Sequence, residues 1–180
     1  MSNDTMVQSR RTVLGSCLSA IAFGVAGCVG DSEETDDEPD ERGEGPETLQ
    51  AGNRVLNSSF PMEVYDPETD TRLVQIHWHG QRSNSHWHQQ PLDVPLDRWE
   101  TYEMRALDRD GEIIQLGEQQ PLQLVMVRTE ETPEDLLEKE IDGNMIDIRG
   151  RNPGRGEYSF RLVSGNQIEW ESPLVQLRVE

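Results

Sequence analysis

Turn-forming clusters cut the chain between residues 49 and 180 into short apolar runs, and this spacing restricts the fold more than any other feature of the sequence. The clusters are DPETD at 66–70, DRDG at 108–111, DGN at 142–144, NPG at 152–154 and SGN at 164–166. Between them lie candidate strands at 61–65, 72–79, 86–92, 99–107, 112–116, 122–128, 145–149, 157–163 and 173–179. Short strands at such intervals predict a single all-β domain, a sandwich or a barrel. At DRDG the cheapest reading is a hairpin turn with Gly111 at positive φ. One helical signal interrupts the pattern: Thr132 is placed to cap, Pro133 to occupy the first helical position and Asp135 to complete a capping box. At most one short helix is expected, over Thr132–Glu138.

The final stretch, NMIDIRGRNPGRGEYSFRLVSGNQIEWESPLVQLRV, adds a more specific expectation. A strand leads to a Gly-containing turn, then to an alternating strand of Tyr158, Phe160 and Leu162, then to a Val/Leu strand that ends the chain. This order resembles the closing half of a bacterial immunoglobulin-like domain. The resemblance implies an immunoglobulin-like β-sandwich over residues 49–180 and carries no function with it.

Residues 1–27 have the layout of a signal peptide: a polar start, Arg10-Arg11, and an apolar stretch from Thr12 to Ala26. The stretch falls short of the roughly 20 residues that a spanning helix needs. SRRTVLG at 9–15 resembles a twin-arginine export signal, with Val13 where that motif often has Phe, and VAGC at 25–28 resembles a lipobox. The two resemblances imply export of a folded chain and a lipid on Cys28 as the first mature residue, anchoring the protein at the outer face of the cell membrane. Cys17 would be discarded with the signal, leaving neither disulfides nor thiolate ligands. Residues 31–48 hold ten Asp or Glu, one Arg and no large apolar side chain. Such a segment cannot bury enough surface to offset its ordering entropy, so residues 28–48 read as a lipidated, disordered acidic linker.

The formal net charge is -19, and 15 of the 16 basic residues are Arg, with Lys139 the exception. Acidic excess with almost no Lys resembles the proteins of salt-loving archaea, in which a carboxylate-rich surface stays solvated and concentrated salt screens its self-repulsion. The sequence as a whole thus resembles a haloarchaeal lipoprotein exported by the twin-arginine route. Unfolding at low ionic strength and refolding in molar salt is the expected result, and a denaturation midpoint indifferent to salt would contradict it. A chain so acidic, with no basic stripe, lacks the counterion-releasing surface that nucleic-acid binding requires.

All four histidines fall within HWHGQRSNSHWH, from His77 to His88. Strand alternation puts Val74, Ile76 and Trp78 on one face and Gln75, His77 and His79 on the other. A hairpin pairing 79 with 86, 78 with 87 and 77 with 88, closed over Gly80–Ser85, would bring His77, His79, His86 and His88 onto one face and stack Trp78 on Trp87 on the inward face. Opposed Cβ atoms roughly 5 Å apart, with neighbours about 7 Å away along the strand, lie within reach of one metal ion. Nitrogen donors alone suit Zn(II), Cu(II) or Ni(II). The same residues also read as exposed polar side chains beside two core tryptophans, or as a pH-responsive surface. QIHWHG at 75–80 resembles a copper-ligand motif of multicopper oxidases, but those enzymes need several domains and a cysteine ligand, so no oxidase activity is implied.

Other constellations are weaker. Asp108-Arg109-Asp110-Gly111-Glu112 resembles the start of a calcium loop without its downstream bidentate Glu. Ser83 and Ser85 lie near the histidines without the strained support of a nucleophile. Trp99, Tyr102 and Trp170 are candidates for a ligand platform and, more cheaply, for core. With no acid, base and nucleophile constellation, the expectation is a non-enzyme. It is a surface-anchored lipoprotein holding a divalent transition metal, with a metal transporter or redox partner at the cell surface, or alternatively a structural or adhesive module without metal.

Overall fold

The computed structural model describes residues 48–180. The signal peptide with Arg10 and Arg11, the lipidation residue Cys28 and the acidic segment as far as residue 47 lie outside the described residues. Within them run thirteen strands: β1 (Gln50–Ala51), β2 (Arg54–Val55), β3 (Met62–Asp66), β4 (Thr71–His77), β5 (His86–His88), β6 (Leu92–Val94), β7 (Trp99–Ala106), β8 (Gln123–Arg128), β9 (Leu137–Asp142), β10 (Met145–Gly150), β11 (Gly154–Ser164), β12 (Gln167–Glu171) and β13 (Val175–Val179). A single 3-10 turn, Arg82–Asn84, lies between β4 and β5. No helix among the described residues is long and apolar enough to cross a membrane.

β1 and β2 pair as a separate two-stranded sheet, and the other strands form an immunoglobulin-like β-sandwich. One sheet has the order β5-β4-β3-β7-β10-β9. In the other, β11 pairs with β8 along one edge. Its second edge is taken by β13 and then β12 in succession, bridged by the Ser172 N–H donating to the Phe160 carbonyl. β6 completes this sheet by pairing in parallel with β13. Period-2 alternation is clearest in β7, β10 and β13, whose buried residues recur at every second position. From the larger sheet Met62, Val64, Val74, Ile76, Trp87, Met104, Ile146 and Ile148 are buried, and from the smaller sheet Met126, Phe160, Leu162, Val175 and Leu177; all belong to one hydrophobic cluster.

Turn chemistry sets the hairpins. Asp66 accepts the Glu68 N–H at 2.8 Å between β3 and β4. Gly143 (φ 61°) and Gly165 (φ 58°) supply the left-handed residues of the β9–β10 and β11–β12 hairpins. At DRDG, Gly111 has φ 82° as expected.

The expected helix over Thr132–Glu138 is absent. The Thr132 hydroxyl accepts the Glu157 N–H at 2.7 Å and donates to the Glu157 carbonyl at 3.1 Å, so the would-be cap is spent on β11. Leu137–Asp142 instead pairs residue by residue with β10 as β9. The run 86–92 divides into β5 and β6, which belong to different sheets; the chain leaves β5 at Gln89, with φ 65°. Residues 112–116 contribute only an isolated bridge, Leu107 with Ile113. β12, with Trp170 its one buried residue, is an addition to the expected strands.

Candidate metal centre

β4 and β5 pair as Gln75 with His88, Ile76 with Trp87 and His77 with His86. The expected register is therefore displaced by two residues. Beyond His77 the backbone turns to other partners: the Trp78 N–H donates to the Ser59 carbonyl at 2.8 Å and the His79 N–H to the Ser85 hydroxyl at 2.9 Å. Residues 78–85 form the connection, tightened by the 3-10 turn. Because side chains alternate with period 2, a slip of two restores every residue to its expected face. The histidines remain together, but the tryptophan partners change. Trp87 lies edge-on to Phe160 at 5.7 Å, and Trp78 packs against Trp170 at 6.0 Å; the expected Trp78–Trp87 stack does not form.

Ring centroids separate by 5.9 Å for His77–His86, 5.4 Å for His77–His88 and 4.8 Å for His86–His88. His77, His86 and His88 each present one ligand nitrogen within 4.8 Å of the other two. Nitrogens sharing a tetrahedral ion with bonds of 2.0–2.1 Å stand about 3.3 Å apart, so modest ring rotations close the set. His86 and His88 are exposed and free to make them, whereas half-buried His77 is steadied by Phe60, stacked on it at 5.5 Å. His79 lies beside the group, 4.2 Å from His77 and 5.3 Å from His86 between centroids, but outside the converging three. It begins the connection and not the strand, which explains its looser position.

That connection is tied down. Ser85 accepts the His79 N–H at 2.9 Å and donates to the Gln81 carbonyl at 2.7 Å. Arg82 donates to the Ser172 carbonyl and pairs with Glu171, both at 2.8 Å, joining the loop to the opposite sheet. Burial tends to raise the Glu171 carboxyl, but donation from Arg161 and Ser159 and the charges of Arg82 and Arg161 outweigh it, holding the group below the usual glutamate range. A carboxylate with a depressed folded pKa stabilises the fold above its unfolded pKa, and that contribution is lost as pH falls through the folded value. Glu171→Gln is accordingly expected to lower stability near neutral pH by about 1–3 kcal/mol. Urea titrations should converge with wild type in acid; a constant offset at every pH would contradict this account.

The remaining candidates separate. Asp108 accepts the N–H groups of Asp110 and Glu112 at 3.0 and 2.9 Å, so its carboxylate serves the turn. Tyr102 and Trp170 are buried in the core while Trp99 is exposed with Arg149 over its ring, so the three share no platform. Gln75 emerges as a residue of interest: it is 8% exposed, opposes His88 on the imidazole face, and its Oε1 has no hydrogen-bond partner. Strand alternation already places it beside the histidines; its burial is a tertiary property with no local signal.

No family model matches the chain. No curated protein matches it either. Among solved structures, the chain is similar to domains 4 and 5 of the S-layer protein SbsC, with 11% identity, 67% of this chain and 76% of that chain covered, and a TM-score of 0.34.

Proposed function

We propose that this protein is a non-catalytic lipoprotein, anchored at the outer face of the cell membrane, that binds a divalent transition metal, Zn(II), Cu(II) or Ni(II), through His77, His86 and His88, with His79 at hand as a fourth donor. The observation that supports this reading is the convergence of three imidazole nitrogens within 4.8 Å on adjacent strands. Two strands in register hold the donors at nearly fixed spacing, so little ordering entropy remains to be lost on binding. The donor set has no sulfur or carboxylate, which favours borderline ions over calcium or magnesium. The rings lie at the sheet surface, open to solvent, as capture or delivery of an ion to a transporter or redox partner demands.

Calorimetric titration of the chain with Cys17 and Cys28 both changed to Ser, removing thiolates that would compete for the ion, tests the reading. One ion per chain with Kd well below millimolar is expected for at least one of the three metals. Binding no tighter than about millimolar would leave the structural or adhesive module as the better account. Binding should also weaken as pH is lowered and imidazoles protonate, since proton and metal compete for the same lone pair.

A further inference from the structure

Gln75 lies in the interior of β4 and points to the side of the sheet that carries the histidines. Its cross-strand partner on β5 is His88, and directly opposed side chains in an antiparallel pair have Cβ atoms about 4.5–5.5 Å apart. On its other flank the opposed residue is Glu63, whose carboxylate is already occupied: Arg72 donates to Oε1 at 2.9 Å and Tyr65 to Oε2 at 3.2 Å. Gln75 is 92% buried, and its Oε1 accepts no hydrogen bond. A buried carbonyl oxygen left unpaired is destabilising, and a donor gained on binding is one way to satisfy it.

A histidine that ligates a metal through one ring nitrogen carries N–H on the other, and that N–H almost always meets a carbonyl, carboxylate or water, which fixes the tautomer and the ring orientation. His88 needs such an acceptor, and Gln75 Oε1 is an acceptor in want of a donor. With the outer ring nitrogen, Nε2, given to the ion, the nitrogen left to meet Oε1 is the one nearer the backbone, Nδ1.

We infer that Gln75 is a positioning residue of the metal centre: its Oε1 accepts the Nδ1–H of His88, presenting the Nε2 lone pair outward to the ion. This rests on the metal-binding reading above and adds to it a specific tautomer and a fourth member outside the ligand set.

The test uses the full chain with Cys17 and Cys28 changed to Ser, titrated with Zn(II), in three forms: Gln75 retained, Gln75→Met and Gln75→Glu. Gln75→Met keeps the length and removes the acceptor, and zinc affinity should fall 10- to 100-fold. Thermal stability without metal should not fall, since an unpaired buried oxygen is removed. Gln75→Glu restores an acceptor and should recover the affinity. Nitrogen-15 NMR of the imidazoles supplies a readout that mere packing would not move: His88 should be the Nδ1–H tautomer with Gln75 or Glu present and lose that preference with Met. Zinc bound equally tightly by the Gln and Met forms, or His88 as the Nε2–H tautomer in the zinc-loaded chain with Gln75, overturns the role of Gln75 and leaves the metal centre standing. Absence of zinc, copper and nickel binding in the form that retains Gln75 overturns both.

Discussion

With His77 and His88 both changed to alanine, binding of Zn(II), Cu(II) or Ni(II) is expected to disappear, with affinity falling at least 100-fold. The substitution removes two of three converging nitrogens and one ligand from each strand. The remaining His79 and His86, with centroids 5.3 Å apart, offer a two-coordinate site at best. Neither replaced side chain is part of the buried core, so the thermal midpoint of the metal-free protein should move little. His79→Ala, by contrast, should cost much less affinity, because that ring is outside the set of three. A double variant that binds as tightly as wild type would sink the metal reading, whereas parity between the His79 and His77 single variants would show that the fourth ring is drawn in on binding.

The second large effect is remote from the ligand atoms. Trp87 separates His86 from His88 on β5 and anchors that strand: it is 2% exposed, packs edge-on against Phe160, and donates its indole N–H to the Pro173 carbonyl at 2.9 Å. Trp87→Ala should destabilise the domain by about 3–5 kcal/mol, the range for removing a large aromatic from a packed core. It should also weaken metal binding without touching a ligand, because among the described strands β5 pairs only with β4 and Trp87 is its one buried side chain. Urea denaturation with and without metal measures both quantities. Loss of stability with unchanged affinity would mean that the hairpin holds its shape without its anchor. A metal that binds only the folded chain should in turn restore part of the lost stability, in proportion to its concentration.

How far the sequence is legible depends on whether the deciding partner is local. The face shared by the histidines follows from alternation, and it survives a two-residue slip because the period is two. The register itself does not follow, since residues 78–85 find partners outside the hairpin, Trp78 at the Ser59 carbonyl and Arg82 at Ser172 and Glu171, to which no sequence signal points. The capping signature at Thr132 is real as local chemistry, but Glu157 offers the same hydroxyl a donor and an acceptor across the fold, and pairing with β10 recruits Leu137–Asp142 into the sheet. β9 escapes detection because it is an edge strand with little buried apolar surface and therefore little alternation. The Asp108 and Gly143 turns, whose determinants lie within a few residues, are where the sequence puts them.

β5 also has a meaning for how molecules of this kind avoid one another. A sheet ends in rows of unpaired backbone groups that invite a neighbour's strand, and the two rims of the larger sheet meet that hazard differently. β9 sets Glu138, Lys139 and Glu140 along its rim, a run of charge that a second chain would have to desolvate. β5 carries no such guard; it is three residues long, cut off by the 3-10 turn on one side and by Gln89 on the other. So short a rim gives an incoming strand too few hydrogen bonds to hold it. Two imidazoles can therefore stand at the margin of the sheet, reachable from outside, without turning that margin into a template for self-association.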